Sequence, residues 1–471
     1  MRNRLVLQRV VVWLVSISVM LVLSALPVRI CAQTPANQTT VVASQDIALK
    51  TDEYMSAIVK AGWFNGSILI AREGKVIVNK SYGMANFELD VPNTPQTKFR
   101  LGSITKPFTA MAIMLLQERG KLSLQDSICK YLTDCPAAWQ AITIHHLLSH
   151  TSGLAKHDKA GDYLKIAMMP MPLPQLIDSF KNKPADFKPG EKFDYNNNGY
   201  ILLGYVIEKV SGQSYEAFLK ENIVAPLKMA DTGYDNHNPI IKNRAAGYRK
   251  EDGKLLNAQY TDPSQPFSAG SLYSTIGDLM LLDQALYDGK LLSSKTLETM
   301  FTPVAGNYGY GWFVMKQNNR PAIMHPGGVP GFSAMITRFP ESRVLIVLLS
   351  NMDNMPVIRA MNDLGAIVFG EKYDVPRTRT AIKVDPKIFA AYAGDYEDRP
   401  GRVTGVLVQN GTLMLRLGGL PDPIEMSAES ETEFFAPYHD IQVVFVKDAG
   451  GRVTEMILRI NGREFHPKKI K

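Results

Sequence analysis

Three short segments of this chain carry residues whose types and spacing suit acyl transfer. In Phe99-Arg-Leu-Gly-Ser103-Ile-Thr-Lys106-Pro107 a serine at a predicted helix start is followed three residues later by a lysine. That spacing puts hydroxyl and amine on one face, one turn apart. The main-chain N–H groups of a first helical turn have no internal acceptor and point toward negative charge developing on a substrate oxygen. A partly desolvated lysine that has lost its proton can activate such a serine. In Phe193-Asp-Tyr195-Asn-Asn197 the tyrosine hydroxyl can relay a proton to a leaving group, and the amide two residues on can bind a substrate carbonyl. In Met324-His325-Pro-Gly327-Gly328-Val-Pro-Gly331 the glycines let a strand approach a ligand closely. The Gly328 N–H can then complete an oxyanion hole with that of Ser103.

Each pattern alone is cheap. Ser127-Ile-Cys-Lys130 repeats the first spacing and Tyr234-Asp-Asn236 the second. Context separates them: Ser103 follows a glycine and opens a long apolar helix, while Ser127 lies in a polar loop; a helix follows Tyr195 and none follows Tyr234. The plain alternatives are a solvated serine and lysine, a buried tyrosine with a satisfied hydroxyl, and a glycine-rich turn with an incidental histidine. Three segments arriving in order favour the chemical reading. The trio His145, His146 and His150 does not suggest a metal centre, because no glutamate follows the first histidine as a base and no carboxylate ligand is near. That stretch reads as a structural helix and turn, and neither a metal nor another cofactor is expected.

The elements that must position these residues are legible from periodicity. Ala48–Ala61 predicts a helix; Ser67-Ile-Leu-Ile-Ala and Lys75-Val-Ile-Val-Asn predict strands joined by the turn Arg72-Glu-Gly. Ser333–Phe339 and Val344–Ser350 predict a second strand pair, with a helix over Pro356–Gly370. Strands from both ends should share one antiparallel sheet, with mostly helical material between them. Within it Ser103–Arg119 is apolar almost all round and stops at Gly120, as expected of a buried helix. Tyr200–Val210 predicts another, with Leu203, Ile207 and Val210 on one stripe and Ser211-Gly212 ending it. After about residue 377 come short alternating runs, Val403–Gln409, Leu413–Leu417, Ile441–Lys447 and Val453–Ile460. Hairpin signals at Asn410-Gly411, Asp448-Ala-Gly-Gly and Asn461-Gly462 make this a separate β module, a small barrel.

Arg2, Arg4 and Arg9, the apolar run Val10–Leu26, Pro27 and a polar stretch have the three zones of a secretory signal, with cleavage near Ala32. The run is short for a membrane span, so an uncleaved anchor is the alternative. Val28, Arg29 and Ile30 before Cys31 lack the small residues that lipidation needs. The expected organisation is a signal at 1–32, a linker at 33–44, a catalytic domain at 45–375 and the β domain at 376–471. Export to the periplasm or medium follows, with membrane contact only through an uncleaved anchor. The net charge of +7 includes four arginines in residues 1–32, leaving about +3 for the rest, and no basic run with interleaved aromatics is present. A nucleic-acid partner is not implied. A 45% hydrophobic and 21% charged composition fits a globular enzyme. Cys129 and Cys135 are either paired, as an oxidising compartment permits, or free thiols.

The three segments, with Ile144-His-His-Leu-Leu-Ser-His-Thr-Ser-Gly153-Leu and Ser268-Ala-Gly-Ser-Leu-Tyr-Ser-Thr275 before Asp278, resemble the class C β-lactamase and D-alanyl-D-alanine carboxypeptidase superfamily over roughly residues 45–372. That resemblance implies an α+β fold, an antiparallel sheet flanked by helices with an inserted helical subdomain and the site in the cleft between them. It implies Ser103 as the acylated nucleophile, Lys106 and Tyr195 as proton carriers, Asn197, His325 and Gly327 against the substrate, and the N–H groups of Ser103 and Gly328 on the oxyanion. The chain departs from the lactamase pattern at His325-Pro326, where Lys-Thr is usual. A largely neutral histidine anchors a carboxylate less well than lysine, so the pattern looks more like D-aminopeptidases and esterases. The expected activity is a serine hydrolase acting on amides or esters of a small molecule or short peptide. A true β-lactamase and a sensor acylated without turnover are the alternatives. The C-terminal module resembles lipocalin-like β domains of such hydrolases, and the oligomeric state is left open.

Overall fold

The computed structural model describes residues 42–157, 166–236, 238–251, 254–377, 379–417, 423–437, 440–460 and 462–470. The expected signal, nearly all of the linker and Asn461 of one expected hairpin lie outside the described residues. Among the described residues no helix is long and apolar enough to cross a membrane.

The longer helices are α1 (Ser44–Lys60), α2 (Thr105–Glu118), α3 (Asn197–Ser211), α4 (Ile276–Asp288) and α5 (Val357–Phe369). The central sheet comprises β1 (Gly66–Arg72), β2 (Lys75–Tyr82), β3 (Phe313–Gln317), β4 (Arg320–Val329), β5 (Phe332–Phe339) and β6 (Val344–Ser350), in the spatial order β3-β4-β5-β6-β1-β2. All its pairings are antiparallel, and the two ends of the domain meet where Ile68 faces Leu348 and Ile70 faces Ile346. The runs in β1 and β6 are apolar without alternation because both faces of the sheet are covered. Ile68, Ile70, Ile346 and Leu348 join a core with α1 and α5; Leu69, Ala71, Leu345 and Val347 join the opposite core with the helical insertion. Side-chain alternation along each strand makes that division. Each fully buried aliphatic side chain contributes about 1.5–3 kcal/mol.

Every residue of α2 from Thr105 to Leu116 is buried, which is why its sequence lacks a polar face. The helix starts later than its pattern suggests, because Gly102–Ile104 forms a single 3-10 turn leading into it. Helix α3 starts earlier, at Asn197, since the Asn196 side chain accepts a hydrogen bond from the Asn198 N–H and so caps it. Cys129 and Cys135 form a disulfide in the loop after α2.

The C-terminal unit is a closed all-β barrel. Its strands are β7 (Gly394–Arg399), β8 (Arg402–Gln409), β9 (Thr412–Arg416), β10 (Ile424–Ala428), β11 (Glu433–Phe435), β12 (Ile441–Lys447), β13 (Val453–Ile460), β14 (Arg463–Phe465) and β15 (Lys468–Lys469). They run β12-β11-β10-β9-β8-β7-β15-β13-β14, and pairing of β12 with β13 closes the ring. Closure leaves few open strand edges. Asn410 and Gly411 both have positive φ, 52° and 77°, as their two-residue hairpin turn requires. Tyr392, Tyr396, Phe434 and Phe445 fill the interior, with Tyr392 and Phe445 stacked at 4.1 Å. Arg359 of α5 pairs with Asp440 of the barrel, and Asp440 also accepts from the Gly462 N–H.

A buried ion pair ties the sheet to the helical insertion: Arg338 of β5 donates from Nε to Asp283 of α4 at 2.6 Å, and the two residues are only 1% and 8% exposed. Removing one partner leaves a buried charge without its counter-charge, at a cost of about 3–5 kcal/mol. Asp283→Asn should lower the urea-unfolding free energy by that order, whereas the apolar double variant Asp283→Leu/Arg338→Met should recover much of the loss. Equal stability of Asp283→Asn and the parent protein would contradict this account of the pair.

Candidate active site

Two glycine contacts lock the serine turn against the sheet. Gly102 has φ 54°, and a Cβ built on it would lie 2.4 Å from the Gly328 nitrogen; one built on Gly327 would lie 2.0 Å from the Leu101 carbonyl oxygen. No side chain fits at either position, so the turn carrying Ser103 and strand β4 touch backbone to backbone. This brings the Gly328 main chain beside Ser103, as an oxyanion pocket built from both N–H groups requires. Strand β3 pairs with β4 only as far as Met324, so His325–Val329 has β5 on one side and no β3 partner on the other. Ser103 itself remains partly exposed, as a nucleophile must.

Lys106 is fully buried one turn after Ser103. Its Nζ lies 3.0 Å from Ser103 Oγ, 2.9 Å from Asn197 Oδ1 and 2.9 Å from the Ala269 carbonyl oxygen. In the free-amine form the two N–H groups match the two carbonyl oxygens, which leaves the lone pair for the serine hydroxyl. The Tyr195 ring stands over the same nitrogen, 4.8 Å from it to the ring centroid, and the residue is 8% exposed. Ser103, Lys106, Tyr195 and Asn197 are therefore brought together from two segments about ninety residues apart.

His325 occupies a different place from the cleft wall expected of it. It has no exposed surface, its Nδ1 donates to the Pro326 carbonyl at 2.6 Å, and the Tyr308 hydroxyl donates to Nε2 at 3.0 Å. The ring lies behind Tyr195, with centroids 6.2 Å apart. Burial, and secondarily the Lys106 charge, push its pKa down to about 3. Strand alternation turns this side chain into the core shared with Tyr308 and Phe313.

The copies separate as their contexts suggest. Ser127 donates to the Gln140 carbonyl, whereas Lys130 pairs with Asp126. Tyr234 donates to the Pro263 carbonyl. His145 shares a hydrogen bond with the Tyr310 hydroxyl, and His146 belongs to the capping box of Ile144–Leu148 with Thr143. That short helix ends before His150, which stands in a turn with φ 57° under Tyr195. Among the described residues no group of three or more His, Cys, Asp or Glu side chains is placed to hold a metal. The Ala269 carbonyl and Tyr308 were not singled out from sequence. Ala269 lies in the Ser268-Ala-Gly-Ser stretch, but a main-chain acceptor leaves no trace in residue type.

A family model described as Beta-lactamase matches residues 52–368, and one described as Domain of unknown function (DUF3471) matches residues 378–469. Penicillin-binding protein 4* of Bacillus subtilis is 33% identical over 419 residues, 81% of this chain and 90% of that protein. The octameric penicillin-binding protein homologue from Pyrococcus abyssi superposes with a TM-score of 0.64 at 26% identity, over 89% of this chain and 99% of that one. The D-amino acid amidase of Ochrobactrum anthropi SV3, solved with L-phenylalanine amide, gives a TM-score of 0.57 at 26% identity, over 65% of this chain and 91% of that one.

A neutral, buried histidine sets the direction of acid sensitivity. The folded state holds His325 unprotonated down to about pH 3, while the unfolded chain takes up the proton near its ordinary value of 6.5. Its stabilising contribution is therefore complete above about pH 6.5 and is lost as pH falls toward 3, by up to ~1.4 kcal/mol per pH unit. Unfolding free energies measured from pH 7 to 4 should fall less steeply for His325→Gln than for the parent. Identical slopes would show that this ring does not govern the acid limb.

Proposed function

The chain belongs to the serine β-lactamase and penicillin-binding protein family, and from that premise we propose that this serine hydrolase works through an acyl-enzyme on Ser103, cleaving amide or ester bonds of small peptides or amino-acid derivatives. The observation that carries the proposal is the position of Lys106 Nζ, held by two carbonyl oxygens and set 3.0 Å from the Ser103 hydroxyl. Oγ attacks the substrate carbonyl carbon while its proton passes to Nζ. The oxyanion is held by the N–H groups of Ser103 and Gly328. Tyr195 carries the proton on to the leaving amine or alcohol, and water then releases the acyl group by the reverse sequence. Asn197, whose Oδ1 is engaged by Lys106, binds the substrate amide through its side-chain N–H, and Gly327 gives the substrate close access to β4.

The neutral, buried His325 supplies no cation for a substrate carboxylate. This favours amides and esters, including those of D-residues, over β-lactams, and similarity to an amidase seen with an amino-acid amide supports the same class. Export is supported by the N-terminal sequence and by pairing of Cys129 with Cys135, which suits an oxidising compartment. The substrate is small, and no metal or other cofactor takes part in the proposed steps.

A fluorophosphonate probe and a panel of D- and L-aminoacyl amides, esters and nitrocefin test the reading. Ser103→Ala should abolish labelling and turnover, and Lys106→Ala and Tyr195→Phe should slow both by about 10²–10⁴-fold. Labelling that survives Ser103→Ala would place the nucleophile elsewhere. Nitrocefin turnover near the ordinary enzymatic rate of ~10 s⁻¹ would favour a β-lactamase, and stable acylation without release would favour a sensor.

A further inference from the structure

A segment outside the catalytic motifs holds Tyr195 in position. The Tyr195 loop, which runs into α3, is strapped to residues 150–155 through main-chain carbonyls. Gly190 N–H donates to Thr151 O at 2.8 Å and Asp186 N–H to Gly153 O at 2.8 Å. The Asn196 side chain donates to Leu154 O, and the Asn198 side chain to Ala155 O at 2.6 Å. His150 contributes the two bonds nearest the tyrosine. Asp194 N–H donates to its carbonyl oxygen at 2.9 Å, and Asn196 N–H donates to its ring Nδ1 at 3.1 Å. The residues before and after Tyr195 are thus held by one residue.

The imidazole also forms a floor for the phenol. Its centroid lies 4.3 Å from that of Tyr195, 5.0 Å from Tyr200 and 4.6 Å from Tyr308, while Lys106 Nζ stands 4.8 Å from the Tyr195 centroid. Two features are costly if the residue only fills space. His150 is a non-glycine residue in the left-handed region at φ 57°. With Nδ1 accepting from Asn196, the proton of the neutral ring sits on Nε2, which is buried without a hydrogen-bond partner among the described residues.

We propose that His150 is the positioning residue for Tyr195, holding the phenol at Lys106 by clamping the N–H groups on both sides of it. The proposal rests on the proton-relay role given to Tyr195 above. Asparagine at 150 tolerates the left-handed backbone and can place Oδ1 near the Nδ1 position, whereas alanine lacks the acceptor; both remove the ring's bulk. His150→Ala should slow fluorophosphonate labelling of Ser103 at least tenfold and lower kcat with little change in KM. It should also speed amide hydrogen exchange in the peptide spanning residues 190–198. His150→Asn should restore labelling to within about threefold of the parent and restore exchange protection. Melting curves confirm that both variants are folded.

The outcomes are distinguishable. Unchanged exchange in folded His150→Ala, or equal losses in the Ala and Asn variants, overturns the clamp. Faster exchange with normal labelling in both His150→Ala and Tyr195→Phe overturns the role of Tyr195, and the positioning proposal with it.

Discussion

A fully buried lysine amine must have its N–H groups met by fixed acceptors, because burying a polar group unpaired is costly. Here the partners come from three places: the carbonyl oxygens of Asn197 at the start of α3 and of Ala269 accept the two N–H groups of the free amine, and the Ser103 hydroxyl on the preceding turn faces its lone pair. Bringing them within 3.0 Å requires the inserted helices to pack on α2 from both sides. The same packing that satisfies Lys106 therefore brings Ser103 and Asn197 to it. Gly311, at φ 80°, allows its backbone to rest on the start of α2, where a Cβ would come within 3.0 Å of the Lys106 carbonyl oxygen.

The electrostatic character of the cleft follows from one strand residue. At His325 the side chain enters the aromatic core, gives its Nδ1 proton to its neighbour's carbonyl and accepts from Tyr308. Protonating it would put a second cation near Lys106 in a water-poor interior, and burial and repulsion together oppose that. The side chain of His325 therefore brings no charge to the exposed side of β4. Among the described residues, aromatic side chains pack in the interior of the barrel. Its pairing with α5 through Arg359 and Asp440 makes it a support on the side of the sheet that α1 and α5 cover.

Much of this was legible in the sequence, for physical reasons that also mark the limits. Long elements announce themselves: β1, β2, β5 and β6 by apolar runs, α2 and α5 by apolar turns, and Asn410-Gly411 by its turn chemistry. Short barrel strands such as β10 and β11 gave no usable pattern, because three to five residues hold too few alternations. Ser103, Lys106, Tyr195 and Asn197 could be picked out because each relies on a side-chain type at a fixed spacing. Ala269 could not, since it acts through a carbonyl that every residue has. The orientation of His325 escaped for another reason: the residue type was visible, but which face of β4 it occupies depends on register with β5. The pairing of Cys129 with Cys135 was left open by sequence, because spacing alone does not give the geometry a disulfide needs.

Positive-φ residues occur in turns throughout this domain, and some of them stand at the candidate site. Gly102 precedes the nucleophile, Gly311 lies under the lysine and His150 lies under the tyrosine, all with positive φ. For the glycines the conformation is inexpensive and its purpose is close approach; for His150 it is not, and the cost persists only where the surroundings dictate it. The opposing requirement is solvent access for the acyl-enzyme. Ser103 meets it by remaining partly exposed while Lys106, one turn deeper, is sealed off. The boundary between water and protein interior thus runs between Ser103 and Lys106, as the proposed division into nucleophile and base requires.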